Sequence, residues 1–247
     1  MKKKLFISTF ILGFVLHTHA QEVAPEPTTS YKKFYSASAS EAIFSVVDFG
    51  NVTITTPGIN NIPATTTIVS PDIIPRFSAF LHLANQLHFN LSNTFGFYTG
   101  LGLRNIGMIN KFSDSLRVKQ RFYSLGVPVA FKIGSMGKKI YFSAGAEAEI
   151  FFHYKQKTFA GNEGRRGEKV QKFNEWFSKR NNIFIPSVFV EFNFGKGNYV
   201  RLKYYLNNIL INGEQDLAVN GVASTFTVER SQLFALSLGK VVGKKRK

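Results

Sequence analysis

The sequence predicts an all-β fold, an eight-stranded antiparallel transmembrane up-and-down β-barrel, on three observations. Residues 95–104 alternate strictly between an apolar set and a small or polar set, a period of two that is typical of a strand between two different media. The same pattern recurs along most of the chain, and long and short connections alternate between the strands. After the N-terminal segment, the sequence contains no run of eighteen apolar residues, the length expected for a membrane-spanning helix.

The N-terminus has the three regions of a secretory signal peptide. Lys2, Lys3 and Lys4 precede an apolar run at 5–16, and Ala20 provides a small residue at the cleavage site. We therefore assign residues 1–20 to a signal peptide, 21–40 to a flexible periplasmic leader, 41–242 to the outer-membrane barrel and 243–247 to a basic tail. The chain contains no cysteine, which excludes both a lipid-anchored lipoprotein and a disulfide framework.

Eight strands are predicted, and their order of connections is more specific than any single strand. They cover residues 41–50, 76–89, 94–105, 119–134, 139–155, 183–195, 199–207 and 225–242. The connections 90–93, 135–138 and 196–198 are short, whereas 51–75, 106–118, 156–182 and 208–224 are long. Outer-membrane barrels have short periplasmic turns and long outer loops, so this order predicts both termini in the periplasm.

Each predicted strand divides into a lipid-facing row and a lumenal row. In 139–155 the even-numbered residues from Ile140 to Tyr154 form the apolar row, which leaves His153 on the lumenal side. Matching faces across the turn at 196–198 pairs Asn193 with Arg201 and Glu191 with Lys203. That register predicts a lumenal ion pair between Glu191 and Lys203.

Residues 97–105 (FYTGLGLRN) and 125–134 (LGVPVAFKIG) resemble the strand motifs of small outer-membrane β-barrel proteins that are common in Bacteroidetes. The resemblance extends over most of residues 41–242. Because that family is largely uncharacterised, the resemblance implies a fold and a location in the cell outer membrane, without a substrate or a catalytic residue.

The chain is strongly basic, with a formal net charge of +16 that falls to +13 when Lys2, Lys3 and Lys4 leave with the signal peptide. Such a charge favours anionic surfaces, and we expect outer-membrane lipid, including lipopolysaccharide, as a partner. The outer-membrane assembly machinery is the second expected partner. Nucleic acid is not expected, because the chain is exported and carries no recognised nucleic-acid-binding motif.

The lumenal rows predict a buried charge network rather than a catalytic site. Its members are Arg104, Glu147, Glu149, Glu191, Arg201 and Lys203. An eight-stranded barrel is just wide enough for side chains to fill it, so an open pore is not expected. His82, His88 and His153 lie on lumenal rows with Ser124 or Ser143 nearby, but no nucleophile-elbow signature is present. We expect no enzyme activity, no cofactor and no metal site.

The connection 156–182 is the best candidate for a surface binding site. It interleaves basic and aromatic side chains, and its candidate residues are Arg165, Arg166, Lys169, Lys172, Trp176, Lys179 and Arg180. Such a set suits the phosphates of lipopolysaccharide or an acidic glycan. The alternative is that the aromatic side chains fold the loop over the barrel mouth while the charges face water.

The predicted function is that of an integral outer-membrane barrel with an envelope-structural or surface-interaction role. Two alternatives remain: a barrel that binds or transports a small hydrophobic ligand, and an outer-membrane lipid-modifying enzyme. A soluble lipocalin-like barrel is the main fold alternative, and it would place the apolar rows inside. A packed lumen would favour the envelope-structural or surface-interaction role over the two alternative functions. An outward apolar belt would favour the membrane barrel over the lipocalin-like fold.

Overall fold

The structure is a computed structural model, and it describes residues 31–58, 63–161, 168–219 and 222–243. The predicted signal peptide and residues 244–247 of the predicted basic tail lie outside the described residues. Within the described residues, no helix is long and apolar enough to cross a membrane.

All the regular secondary structure of the described residues is β-strand. They are β1 (Phe34–Asp48), β2 (Val52–Thr56), β3 (Thr65–Val69), β4 (Asp72–Ile74), β5 (Arg76–Ser78), β6 (Leu83–Asn90), β7 (Phe95–Ser113), β8 (Leu116–Ser135), β9 (Ile140–Ala160), β10 (Glu168–Trp176), β11 (Phe184–Phe194), β12 (Asn198–Tyr205), β13 (Gly213–Val219), β14 (Val222–Val228) and β15 (Gln232–Gly243).

Eight of these strands close into a ring, which confirms the predicted fold class. The ring runs β1, β6, β7, β8, β9, β11, β12 and β15, with every neighbouring pair antiparallel. β15 closes it on β1 over a long register from Ala37 opposite Gly243 to Asp48 opposite Gln232. Closure leaves no sheet edge in the wall, which a membrane-spanning sheet requires because hydrocarbon cannot satisfy free backbone groups.

The predicted barrel boundary and the predicted long loops need correction. β1 begins at Phe34 rather than at residue 41, because residues 34–40 pair with β6 through Phe34 opposite Phe89. The predicted long connection 106–118 is two strand extensions joined by a tight turn after Ser113. The connection 156–182 contains the outer part of β9 and the whole of β10, which pair with each other.

The remaining long connections form a second sheet. β13, β14, β2 and β3 pair in that order as a four-stranded antiparallel sheet drawn from the predicted loops 51–75 and 208–224 and from residues 225–228. Those last residues were predicted to begin the final barrel strand, which instead begins at Gln232. All the long connections meet at one end of the barrel. The short turns lie at the other end, where they bond to one another: the Met136 N–H donates to the Asn93 carbonyl and the Gly195 N–H to the Lys139 carbonyl.

The barrel wall separates an apolar exterior from a polar lumen, as the alternation predicts. In β11, Val188, Val190 and Phe192 are exposed on the outer surface, whereas Glu191 between them is buried in the lumen. The same outward apolar row and buried inward row run along the membrane part of β7, along β12 and along β15. The apolar side therefore faces out, which excludes the lipocalin-like alternative.

One predicted row is wrong in its outer part. The register between β8 and β9 jumps from Ser124 opposite Phe151 to Tyr123 opposite His153, which leaves Phe152 as a β-bulge residue. A bulge exchanges the two faces of the strand beyond it. Tyr154, predicted to face lipid, is consequently buried inside, and His153, predicted to be lumenal, stacks edge-on against Trp176 outside.

Candidate functional site

The lumen holds a dense network of buried charges. Arg201 binds Glu191 through two nitrogens, with Nε at 2.8 Å and Nη2 at 2.6 Å from Oε2. Its Nη1 lies 3.5 Å from a carboxylate oxygen of Glu41, and its guanidinium lies over the rings of Phe189 and Tyr199. Arg201 thus joins two carboxylates and two aromatic rings across the barrel axis.

The network continues toward the outer side of Arg201. Arg104 Nε lies 2.7 Å from Glu41, and its Nη1 binds Glu147. Lys203 Nζ lies 2.6 Å from Glu147 and also binds Glu149. The charged side chains of this network are at most 5% exposed, so water has almost no access to them.

The structure brings all six predicted lumenal charges together and adds Glu41, which the sequence analysis missed. Glu41 is the only charged residue on its row of β1, between Ala39 and Ile43, and that isolated charge on an alternating strand was the available signal. The predicted ion pair between Glu191 and Lys203 is wrong. The observed register pairs Glu191 with Arg201 and Phe189 with Lys203, a shift of two residues along β12.

A separate polar cluster closes the lumen at the short-turn end. Lys132 Nζ lies 2.6 Å from Asn90 Oδ1 and 3.2 Å from His88 Nδ1, and the ammonium group sits near the rings of Tyr35 and Tyr141. Lys132 is fully buried. It lies on the lumenal row of β8, so strict alternation along that strand would have found it.

The predicted histidines and serines do not converge on a catalytic arrangement. Ser124 donates a 2.6 Å hydrogen bond to Glu149, and Ser143 bonds Glu191. His82 bonds Ser78, and His88 lies in the Lys132 cluster. Among the described residues there is no group of three His, Asp or Glu side chains that could hold a metal ion.

The outer half of the lumen is filled by apolar side chains and covered by the four-stranded sheet. Phe226 of β14 is fully buried, with its ring centroid 5.3 Å from that of Phe112 and 6.3 Å from that of Phe49. Ile54 and Leu217 of the same sheet join this core. We call the sheet β13–β14–β2–β3 and its buried side chains the mouth plug.

The predicted loop candidates divide into three groups. Arg165 and Arg166 lie outside the described residues. Lys169, Lys172 and Trp176 belong to β10 and are exposed on its outer side, and Lys179 is exposed in the segment after it.

Arg180 has a structural environment instead. It binds Glu175 and Asp216, and its guanidinium lies 4.0 Å from the centre of the Phe173 ring. Burial alone would lower the pKa of Arg180, but the hydrogen bonds to the two carboxylates raise it overall. Arg180 thus links β10 to the mouth plug.

Solved structures with a similar fold are outer-membrane proteins. The crystal structure of OprG from Pseudomonas aeruginosa matches with a TM-score of 0.40 and 9% identity, over 87% of this chain and 99% of that one. The outer membrane protein AlkL in lipid bilayers matches with 0.37 and 14%, over 92% and 99%. Ail, the attachment invasion locus protein of Yersinia pestis, matches with 0.32 and 10%, over 84% and 99%.

The similarity is confined to the small outer-membrane barrel fold. No protein-family model matches this chain, and no curated protein matches its sequence.

Proposed function

We propose that this protein is an integral outer-membrane β-barrel with a closed lumen that serves an envelope-structural or surface-interaction role. The observation that carries the proposal is the filled interior. The Lys132 cluster, the Arg201 network and the mouth plug follow one another along the barrel axis, and each is buried. A lumen filled in this way has no path for a solute, so the interactions of the protein lie on its outer surfaces.

The dimensions of the wall support a membrane-spanning position. Along β8 the outward residues Leu125, Val127, Val129, Phe131 and Ile133 are exposed and apolar, and Tyr123 follows at the outer end. The stretch from Tyr123 to Ile133 is about 34 Å long at about 3.4 Å per residue. At a strand tilt of 35–45° it rises about 25 Å, which matches the apolar band of outer-membrane barrels.

The proposed orientation places the short turns and both termini in the periplasm. The extended strands and the mouth plug then face the cell exterior, where lipopolysaccharide is the most abundant anionic partner. The same proposal includes export by the signal peptide 1–20, insertion by the outer-membrane assembly machinery and membership of the Bacteroidetes-type family.

The packed lumen argues against the two alternative functions. A small hydrophobic ligand would need a lumenal cavity, but the apolar depression of about 560 Å³ beside Phe44, Val190 and Leu202 opens on the lipid-facing wall. A lipid-modifying enzyme would need a serine whose hydroxyl donates its proton to a histidine, whereas Ser124 and Ser143 donate to carboxylates. Ser78 does contact His82, but the Asn105 N–H donates to His82 Nδ1, so Nε2 carries the proton and donates to the Ser78 hydroxyl instead of accepting from it.

Cysteine labelling tests the orientation with matched variants. Lys179 is exposed at the plug end and Lys138 at the short-turn end, and the natural chain has no thiol. We expect Lys179→Cys to react with a membrane-impermeant maleimide on intact cells and Lys138→Cys to react only after lysis. The opposite pattern would show that the barrel is inserted the other way round.

Reconstitution in planar bilayers tests the closed lumen. The protein is expected to give no stable ionic conductance, because charged and apolar side chains block the axis at successive levels. A steady, ohmic channel from the folded wild-type protein, absent from protein-free bilayers, would contradict the proposal.

A further inference from the structure

The outward face of β8, β9 and β10 carries cross-strand rows of two different chemistries. The lowest row is aromatic: Tyr123, His153 and Trp176 stand opposite one another on the three strands. The next row toward the outer end contains Arg121 and Lys155, opposite each other. The basic row therefore places positive charge directly beyond the aromatic row, on the side away from the apolar band.

The third row consists entirely of lysines. Lys119, Lys157 and Lys172 are direct cross-strand partners on β8, β9 and β10. Like charges opposite each other on neighbouring strands destabilise a sheet. Two successive rows of this kind are therefore an unfavourable arrangement unless an anion lies between them.

Four basic side chains of these two rows, Lys119, Arg121, Lys155 and Lys157, line a groove of about 330 Å³ on the flank of the barrel. We call it the flank groove, and its basic residues are Arg76, Lys119, Arg121, Lys155 and Lys157. The described residues that line it include no carboxylate. The site therefore offers five positive charges to a ligand without an acidic side chain to neutralise them.

Arg76 gives an independent indication of a ligand. Its side chain comes from β5, reaches β7 and lines the groove, although the residue is only 7% exposed. Nη2 donates a 3.1 Å hydrogen bond to Asn105 Oδ1, but the buried Nη1 has no partner among the described residues. A buried guanidinium nitrogen without an acceptor is costly, and an anionic oxygen in the groove would satisfy it.

The position of the groove indicates which anion it meets. Arg121 and Lys119 follow Tyr123 on the same outward row of β8, so they lie within about 5–10 Å above the apolar band at ordinary strand tilt. That height corresponds to the headgroup layer of the outer leaflet. The groove opens toward lipid rather than toward the lumen, because Lys119 and Arg121 lie on the same outward row of β8 as the lipid-exposed Leu125.

We infer that the flank groove binds the phosphate groups of a phosphorylated glycolipid in the outer leaflet, the lipid A portion of lipopolysaccharide. The phosphates lie between the two basic rows, where they accept hydrogen bonds from Arg76 and Arg121 and neutralise the lysines. The acyl chains run down the apolar wall beneath Tyr123. This inference rests on the proposed membrane orientation and assigns a partner to the outer surface.

A fluorescence titration tests the inference, because Trp176 is the only tryptophan and stands in the aromatic row below the groove. The folded full-length protein in neutral detergent is titrated with bisphosphorylated lipid A, with phosphatidylcholine, with inorganic phosphate and with a soluble heparin fragment. The groove variant is Lys155→Gln/Lys157→Gln. The matched control is Lys138→Gln/Lys196→Gln, which removes the same charge from exposed lysines at the short-turn end of the barrel.

Wild type and control are expected to bind lipid A equally and more tightly than the other three probes, with affinity falling as salt rises. The groove variant is expected to bind about twentyfold more weakly, because each basic side chain near an anionic surface contributes about fivefold. Lys119→Gln/Lys172→Gln repeats the test on the neighbouring strands, and far-UV circular dichroism verifies that each variant is folded.

Two results would overturn the inference. Equal lipid A binding by the folded groove variants and the wild type would show that the groove is not the site. Tighter binding of the heparin fragment than of lipid A would assign the groove to a soluble polyanion. Both results concern binding in detergent, so they are independent of the cysteine labelling that tests membrane orientation.

Discussion

Replacing Arg201 by methionine is expected to lower the free energy of unfolding by about 3–5 kcal/mol, measured by urea titration of the folded barrel in lipid vesicles. The guanidinium binds Glu191 at 2.6 Å and lies 3.5 Å from Glu41, and both carboxylates are almost fully buried. Removing the cation leaves Glu191 without its ion-pair partner and Glu41 with Arg104 alone, in a lumen that water barely enters. Methionine keeps the apolar volume, so the effect reports the charge rather than the packing.

A double-mutant cycle isolates the contact between the two partners. Glu191→Gln alone is expected to destabilise, and the double variant Glu191→Gln/Arg201→Met should recover part of the combined loss. For residues in contact the coupling energy is about 0.5–3 kcal/mol.

The control cycle combines Glu191→Gln with Lys203→Met, whose partners are Glu147 and Glu149. The coupling in that cycle should be clearly smaller. A larger coupling between Glu191 and Lys203 than between Glu191 and Arg201 would show that the register of β11 and β12 is wrong by two residues.

The register between β11 and β12 illustrates the limit of reasoning from pattern alone. Alternation identified both faces of these strands, because every even-numbered residue from Val188 to Phe194 faces lipid. A shift of two residues preserves those faces, so alternation cannot detect it. The turn decides the register: Gly195, Lys196 and Gly197 all have positive φ, which fixes the loop one residue earlier than predicted.

The outer third of the barrel was predicted poorly for a different physical reason. Inside the membrane the exterior is apolar and the lumen is charged, but beyond Tyr123 the exterior meets headgroups and water. In this outer part the inward positions are therefore apolar and the outward positions are charged. Phe122 and Tyr154 are buried inside, while Arg121 and Lys155 face out. A rule that seeks one apolar lipid row loses the strands there, which is why the extensions of β7, β8 and β9 were read as loops.

The flank groove lies in this same outer part of the barrel, where charged side chains occupy the outward positions. Lys169 and Lys172 were singled out as surface candidates and are exposed, whereas Arg121 and Lys155 were placed on membrane strands and received no role. Their pairing depends on the bulge at Phe152, which brings Lys155 onto the outward face. Without the bulge, an odd-numbered residue of β9 would face the lumen, and the sequence carries no local signal that marks its position.

The mouth plug leads to the second large effect. Phe226→Ala is expected to lower the free energy of unfolding by about 3–5 kcal/mol, because it removes a fully buried ring from contact with Phe112 and Phe49 and leaves a cavity. Phe234→Ala is the matched control, since Phe234 is 42% exposed on the lipid-facing wall and its removal opens no cavity. The control should lose much less stability in the same urea titration in lipid vesicles.

A conductance measurement distinguishes whether the mouth plug or the ionic network beneath it blocks the barrel axis. If the Arg201 network and the Lys132 cluster close the axis, the Phe226→Ala barrel stays non-conducting in planar bilayers although its mouth is loosened. Equal destabilisation by the two phenylalanine variants would show that the mouth plug does not stabilise the barrel. A channel in Phe226→Ala that is absent from Phe234→Ala would make the plug the only barrier and would leave the buried charges a purely structural role.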